Sequence, residues 1–255
     1  MRQLTLDKLA ELSLKGMQGA LEHQAGMEDI PFEDRLLMLL DAEELYRKER
    51  SLEWRIKAAG LRQNARLEEL DARGSRTLDR PFLTTLATCK WVKDKRNLII
   101  SGPTGIGKTF IACALARKAC EARFSARHHR LPRLLTELSI ARAQGTLRTK
   151  FASLARIDLL VLDDWLLAPL EPTERRDLLE LMDDRYDKRS VIVCTQLPVD
   201  KWHSVIGDPT LADAILDRLV HNAHKFSMDG ESMRKSKGLR PQGGGIIDTT
   251  EGLQT

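Results

Sequence analysis

Short apolar runs alternate with stretches of helical periodicity through the middle of the chain. The segments assigned to strands are residues 97–101, 125–129, 159–162 and 190–194. The segments with apolar residues at helical spacing are 110–122, 131–143 and a stretch that starts near Leu211. Strands that alternate with helices are typical of a parallel sheet covered by helices on both faces. The pattern therefore predicts an α/β domain.

The first seventy or so residues show helical periodicity only. Leucines recur every three or four positions on both sides of Pro31, where the pattern breaks. Turn-forming residues dominate positions 71–81, and the tail beyond residue 235 is glycine-rich with few apolar residues. We therefore predict a small all-helical N-terminal domain at residues 1–75, the α/β domain at residues 76–235 and a flexible tail at residues 236–255.

The eight residues that follow the first predicted strand match the Walker A pattern G-x-x-x-x-G-K-[ST]. Glycines in such a loop let backbone N–H groups close around phosphate oxygens. We expect Lys108 to reach the β- and γ-phosphates of ATP and the Thr109 hydroxyl to bind Mg²⁺. A chance match in a glycine-rich turn is the alternative, but the predicted strand before the loop and helix after it are the setting that the motif requires. The residues assigned to nucleotide binding here are Gly102, Pro103, Thr104, Gly105, Ile106, Gly107, Lys108, Thr109 and Phe110.

Two consecutive aspartates follow the strand predicted at residues 159–162. We expect Asp163 to hold Mg²⁺, directly or through water. Asp164 would polarise the attacking water, because hydrolysis of a phosphoanhydride needs an oriented nucleophile. Paired aspartates at a strand end can also simply start a turn, but the phosphate loop upstream favours the catalytic interpretation.

Three further polar residues are candidates for the catalytic machinery. Thr195 and Gln196 end a strand that would run beside the Asp163 strand, and either could contact the γ-phosphate or the attacking water, although both also suit an ordinary loop before a proline. Arg218 lies on the helix that starts near Leu211. A lone arginine is usually a surface residue, but in a ring ATPase an arginine near this point stabilises charge in the neighbouring subunit's site.

Composition narrows the class of protein. Of the 255 residues 42% are hydrophobic and 31% charged, and the formal net charge of +4 leaves a polyanionic partner open. The four cysteines, Cys89, Cys113, Cys120 and Cys194, have no C-x-x-C spacing, which favours small buried side chains in a reducing compartment. The sequence has neither a signal-peptide pattern nor an apolar stretch long enough to cross a bilayer. We expect a cytoplasmic protein without a membrane partner.

Two sets of basic residues are candidate contacts for DNA phosphates. The first basic set consists of Arg47, Lys48, Arg50, Arg55 and Lys57, and the second of Arg130, Arg133, Arg142, Arg148 and Lys150. The alternative is a solvated surface on which acidic and basic side chains pair three or four residues apart. Phosphate contacts would give largely sequence-independent binding of duplex DNA.

Longer segments of the chain resemble the IstB-like ATP-binding proteins, the transposition helpers encoded beside the IstA transposase in bacterial insertion sequences. The segments that carry the resemblance are residues 113–116, 130–135, 159–165, 176–180, 184–186, 196–203, 209–221 and 230–234. The likeness covers almost the whole chain, and its last two segments are far more specific than the phosphate-loop motifs.

The resemblance implies an AAA+ P-loop fold of the DnaA/DnaC initiator clade. It implies ATP-driven self-association on DNA and delivery of target DNA to an IstA-like transposase. The resemblance also assigns Thr195 or Gln196 as the first sensor residue and Arg218 as the arginine finger. It assigns Arg234 as a nucleotide contact similar to the second sensor residue. The second basic set resembles the helices that face a central DNA channel in that clade, so we favour it slightly.

Two features depart from the family's usual sequence, and one residue differs from other AAA+ enzymes. The family usually has glycine where Leu166 stands, which predicts a reshaped turn, and its sensor strand commonly ends Thr-Ser-Gln rather than Cys194-Thr-Gln196. Asp164 is one methylene shorter than the glutamate of other AAA+ enzymes, which favours slow, partner-stimulated hydrolysis.

Two other classes of protein also contain the phosphate loop and represent alternative functions for this chain. A replicative helicase loader of the DnaC/DnaI type has the same core with protein as its main partner, and an adjacent transposase gene would argue against it. A small-molecule kinase would need a substrate lid and an acceptor pocket, and no sequence feature marks either.

Overall fold

The computed structural model describes residues 2–27, 29–70 and 79–230. The helices are α1 (Arg2–Glu11), α2 (Lys15–His23), α3 (Phe32–Ala59), α4 (Arg80–Ala87), α5 (Lys90–Lys93), α6 (Lys108–Glu121), α7 (Leu131–Ala143), α8 (Leu147–Arg156), α9 (Pro172–Arg185), α10 (Trp202–Ile206) and α11 (Pro209–Val220). The strands are β1 (Asn97–Ser101), β2 (Ala126–Arg130), β3 (Leu159–Trp165), β4 (Ser190–Thr195) and β5 (Ala223–Ser227). Arg234, the tail at 236–255 and most of the predicted domain boundary lie outside the described residues.

The five strands form one parallel sheet in the order β2-β3-β4-β1-β5. Because every pair is parallel, the carboxyl ends of all five strands lie at the same edge, and each connection crosses over through helices. The α/β prediction is confirmed, and β4 does run beside β3 as expected.

Alternate side chains of the central strands enter separate cores on the two faces of the sheet. Leu98 and Ile100 of β1 pack with α4 and α6 on one face, whereas Ile99 between them packs with α7 to α11 on the other. All three are at most 1% exposed. This burial on both faces explains why the central strands are continuous apolar runs rather than alternating ones.

Sequence periodicity located most of these elements, with two differences. The ranges predicted for β1 and α7 coincide with the observed ones, whereas β3 continues through the two aspartates to Trp165. Strand β5 was missed. It is an edge strand with Phe226 as its one buried residue, so its sequence lacks an apolar run.

The N-terminal helices contact the rest of the chain through the second half of α3. Helix α2 packs along its first half, where Glu43 accepts hydrogen bonds from the backbone N–H groups of Gly16 and Met17, and α1 packs on α2. In the second half, Leu52 and Ile56 pack against the α6 core, and Arg55 Nε donates to the Cys120 carbonyl oxygen at 3.0 Å. The division at residue 75 stays a prediction.

All four cysteines are buried free thiols, as expected from their spacing. Burial raises the pKa of Cys89 to about 11, so this thiol is poorly nucleophilic at neutral pH. Within the described ranges, no helix combines the length and apolar character that crossing a bilayer would require.

Candidate nucleotide-binding site

The loop between β1 and α6 lies at the carboxyl edge of the sheet and needs glycine for steric reasons. Gly102 has φ of +147°, and a Cβ there would lie 2.3 Å from the carbonyl oxygen of Met228 at the end of β5. Gly105 and Gly107 also have positive φ, at 81° and 104°. A side chain at these positions would strain the backbone, so the glycines fix the shape of the loop.

Helix α6 begins at Lys108, directly at the end of this loop. Gly107 precedes it without a capping side chain, which leaves the first N–H groups of the helix available to an anion. The Lys108 Nζ donates to the carbonyl oxygens of Gly102 and Pro103 at 2.6 and 2.7 Å. The lysine ammonium is thus folded over the loop at the place where the Walker A motif puts phosphate oxygens.

Three polar groups lie close to one carboxylate oxygen of Asp163. Its Oδ2 accepts a hydrogen bond from Thr109 Oγ1 at 2.8 Å, and His128 Nε2 and an Arg62 terminal nitrogen lie 3.6 and 3.7 Å away. Burial acts to raise the pKa of Asp163, but His128, the Thr109 hydroxyl and the Asp164 N–H hold it below its usual value. Asp163 is therefore an anion within reach of a cation.

Asp164 has a different environment because the strand is irregular here. The register between β3 and β4 shifts between Leu162 and Trp165, and Asp164 has φ of +56°. Its Oδ2 accepts a hydrogen bond from Arg130 Nε at 2.5 Å, at the end of the neighbouring strand β2. The carboxylate assigned to the attacking water is thus held by an arginine.

Leu166, the residue in place of the family's usual glycine, also has positive φ, at 51°. The backbone here has the left-handed conformation that glycine favours, and an L residue adopts it at a cost of about 1–2 kcal/mol. The Leu166 side chain is 1% exposed and packs in the α7–α11 core, which offsets the strain.

The two candidate sensor residues point to different partners. Gln196 Oε1 accepts a hydrogen bond from Thr104 Oγ1 in the phosphate loop at 2.6 Å. The Thr195 hydroxyl is buried in a local turn, where it bonds to the N–H and the carbonyl oxygen of Leu197. Gln196 is therefore placed at the loop and Thr195 supports the strand end.

Arg218 lies at the other end of the sheet from the phosphate loop of its own chain. Asn97, the first residue of β1, donates to the carbonyl oxygens of Arg218 and Leu219. Since β1 spans about 15 Å at ~3.3 Å per residue, Arg218 is remote from Lys108. Its guanidinium pairs with Asp183 on α9 and donates to the Ala214 carbonyl oxygen.

Three residues at the site were not singled out from sequence as nucleotide-site residues: Arg62, His128 and Arg130. Arg130 had been assigned only to a DNA-contacting set. Its place beside Asp163 follows from the β2–β3 register, which pairs Arg130 with Asp163 and which the two sequence segments do not specify. Arg62 arrives from the segment after α3, and no local sequence signal predicts that return.

The donor set fits a magnesium nucleotide. Thr109 and Asp163 bring a hydroxyl and a carboxylate oxygen to within 2.8 Å of each other, and both are ligand types that Mg²⁺ prefers. In the described part of the chain, no cluster of three or more His, Cys, Asp or Glu side chains could hold a metal ion.

Comparison with known sequences agrees with this geometry. The model of the family described as IstB-like ATP binding protein matches residues 7–240. The chain is 44% identical over 236 residues to a putative insertion sequence ATP-binding protein of Sinorhizobium fredii. The aligned residues make up 91% of this chain and 96% of that protein. The chain is 33% identical over 215 residues to the insertion sequence IS21 putative ATP-binding protein of Pseudomonas aeruginosa, covering 84% of this chain and 81% of that one.

Solved structures share the fold at low sequence identity. The crystal structure of DnaI aligns with a TM-score of 0.56 at 17% identity, covering 65% of this chain and 92% of that one. The DnaC helicase loader aligns with a TM-score of 0.50 at 16% identity, covering 58% and 87%. These likenesses show the P-loop AAA+ fold alone. Together with its phosphate loop and parallel sheet, the family match shows that the chain belongs to the IstB-like ATP-binding proteins.

Proposed function

We propose that this protein is an ATP-dependent DNA-binding helper of transposition. It assembles on duplex target DNA, delivers that DNA to an IstA-like transposase and stimulates it, with slow ATP hydrolysis as the switch. Membership in an ATP-binding family and relatives named for insertion sequences support the proposal.

The proposed roles follow the contacts at the carboxyl edge of the sheet. The loop from Gly102 to Phe110 holds the phosphates of ATP, with Lys108 as its cation. Thr109 and Asp163 hold Mg²⁺, which neutralises phosphate charge when bound. Asp164 orients the attacking water and Gln196 senses the γ-phosphate, while Thr195 keeps the strand end in place. Arg234 remains a proposed nucleotide contact on the grounds of family resemblance.

The observation that carries the switch is the ion pair between Asp164 and Arg130. A carboxylate that accepts a charge-assisted hydrogen bond from an arginine is a weak acceptor for a water proton. The Arg130 side chain is 52% exposed and belongs to the second basic set, so a DNA phosphate can compete for it. DNA would thus free Asp164 and start hydrolysis.

The two basic sets differ in how many of their side chains already form ion pairs with acidic residues. In the second set, Arg133 and Lys150 both pair with Glu137, and Arg142 pairs with the buried Asp177, while Arg148 is exposed. In the first set, Arg47 and Lys48 pair with glutamates one helical turn away, and Arg50 and Lys57 are exposed. An exposed pair such as Lys48–Glu44 is weak and exchanges readily for phosphates, whereas Arg142 and Arg47 are held by buried carboxylates.

Self-association is proposed on the position of Arg218. An arginine at the far end of the sheet is too distant to act on its own chain's nucleotide, but in an assembly it can face the neighbour's site. Its partner Asp183 is half exposed, so the guanidinium can leave that contact at modest cost.

The N-terminal helices are proposed as the surface for a protein partner. They expose large apolar side chains that a solitary globular chain would normally bury. These side chains are Leu4, Leu12, Phe32, Leu36, Leu37, Met38, Leu40, Leu45 and Trp54. Such a surface suits the transposase or a second copy of this chain better than it suits DNA.

The Arg130–Asp164 switch is tested by measuring ATP turnover with and without duplex DNA. We expect Arg130→Ala to raise turnover in the absence of DNA and to lose further stimulation by DNA. Arg127→Ala, which removes an exposed arginine of the same strand that belongs to neither basic set, is the matched control and should keep both the low basal rate and the stimulation. Low basal turnover together with intact stimulation in Arg130→Ala would remove the ion pair from the mechanism.

DNA contact itself is tested by affinity across a salt series. Each lost phosphate contact lowers the log–log slope by about 0.9 for duplex DNA. Charge-neutralising the second set should lower the slope more than neutralising the first. If both variants keep the wild-type slope, the helicase-loader alternative, with protein as the main partner, is favoured instead.

A further inference from the structure

Arg62 brings a guanidinium to the candidate metal site from outside the AAA+ core elements. One of its terminal nitrogens lies 3.7 Å from Asp163 Oδ2, the oxygen that also accepts the Thr109 hydroxyl at 2.8 Å. Both groups therefore approach the same oxygen atom, at the first turn of α6 where phosphates are expected. The Arg62 side chain is 43% exposed, so it has room to reorient.

The segment that carries Arg62 follows α3 directly. Gly60 ends that helix in the left-handed conformation, with φ of +58°. Three contacts then fix the following residues along α6: Ala65 is buried against Cys113 and Ala114, Asn64 accepts from Arg117 at 2.7 Å, and Glu68 pairs with Lys118 at 2.8 Å. Arg62 thus sits between an anchored segment and the end of the N-terminal helices.

We propose that Arg62 contacts the nucleotide phosphates in cis and links nucleotide occupancy to the C-terminal end of α3. In the structure its guanidinium supplies positive charge beside Asp163. A metal bound by Asp163 and Thr109 would take over that role and repel the guanidinium from the carboxylate. The phosphate oxygens then become the nearest anions, and arginine binds such oxygens in a fork geometry that lysine cannot match.

This inference rests on the proposed nucleotide site, but it predicts an effect of Arg62 that the proposed site alone does not require. A residue that only neutralised Asp163 would affect the stability of the empty protein and leave nucleotide affinity unchanged. A residue that contacts phosphate would affect affinity, and its loss would also uncouple α3 from the site.

The experiment measures Mg²⁺–ATP affinity by calorimetry on the full chain. It is run well below each variant's unfolding temperature, as determined by circular dichroism. We expect Arg62→Ala to bind about tenfold more weakly than wild type, equivalent to about 1.4 kcal/mol. Arg62→Lys should recover part of the loss. Arg66→Ala removes the same charge from the same segment, where it acts on Glu68 rather than Asp163, and should stay within about twofold of wild type.

A second readout follows amide hydrogen exchange in residues 56–63 with and without nucleotide. Wild type and Arg66→Ala should gain protection there when ATP binds, and Arg62→Ala should not. Wild-type affinity in Arg62→Ala, or an unchanged gain of protection, would overturn the inference. Failure of wild type itself to bind ATP would instead refute the proposed nucleotide site, so the two failures are distinguishable.

Discussion

The two ends of the parallel sheet hold their buried charges in different ways. At the amino end, the Arg185 guanidinium is 1% exposed and donates to the carbonyl oxygens of Leu154, Ile157, Asp158 and Ser190. These bonds tie the end of α8 to the starts of β3 and β4. Burial and the nearby Arg189 lower the pKa of Arg185, against an opposing effect of Asp158.

At the carboxyl end, several polar groups share one acceptor instead of each having its own. Thr109, His128 and Arg62 all approach one oxygen of Asp163, and Lys108 bonds to carbonyl oxygens of its own loop. A buried charge that donates to several carbonyl oxygens stabilises the fold, whereas a crowded and partly exposed set of groups can exchange partners for a ligand. The comparison predicts that substitutions of the buried network at the amino end lower the stability of the fold. Substitutions at the carboxyl end should instead change nucleotide binding and turnover.

The largest expected effect concerns Arg218, which lies at the amino end but is proposed to act on a neighbouring chain. Arg218→Ala should lower DNA-stimulated ATP turnover by about a thousandfold, since arginine fingers contribute about 10³–10⁵ in rate. ATP binding by the isolated chain should persist. Mixing Arg218→Ala with Lys108→Ala subunits should restore some turnover, because mixed interfaces pair an intact finger with an intact site. Wild-type turnover of Arg218→Ala on DNA would place the finger elsewhere.

The next effect separates binding from chemistry at the carboxyl end. Asp164→Asn should keep ATP affinity but lower turnover by about 10²–10⁴-fold, because the amide is a poor acceptor for the water proton. Single-turnover hydrolysis and nucleotide binding measured on the same sample provide the check. Unchanged turnover would remove Asp164 from the mechanism.

The amino end should respond in stability rather than in nucleotide affinity. Arg185→Met leaves several buried carbonyl oxygens without donors and should lower the free energy of unfolding by about 3 kcal/mol. Arg189→Met, which removes a partly exposed arginine paired with Asp158, should cost less than about 1 kcal/mol. Urea denaturation compares the two variants. Equal losses would mean that the buried carbonyl network is not what stabilises this end.

A second effect on stability depends on pH and arises at the carboxyl end of β2. Burial lowers the pKa of His129 to about 4, partly offset by Glu137, with Lys150, Arg127 and His128 lowering it further. The unfolded chain takes up this proton near pH 6.5, so stability falls as pH decreases from 6.5 towards 4. His129→Gln should flatten this part of the stability curve, and an unchanged slope would exclude His129 as its source.

The same contrast explains what could be predicted from sequence. The central strands and α7 were located because their apolar residues face cores on one or both sides, and the glycine loop was located because its shape requires glycine at fixed spacing. Strand β5 was missed because it is a mostly polar edge strand. The contacts of Arg62 and Arg130 with the aspartates depend on strand register and on a distant segment returning to the site. Local sequence encodes neither.

The central claim is that the carboxyl end of the sheet binds a magnesium nucleotide, and calorimetric titration of ATP into wild type and Lys108→Ala tests it most directly. Arg185→Met serves as the control from the amino end, measured at a temperature where it is fully folded. We predict one ATP per chain for wild type and for Arg185→Met. Affinity should be about a hundredfold lower for Lys108→Ala, because the substitution removes the one side-chain cation of the loop. Wild-type affinity in Lys108→Ala would contradict the account.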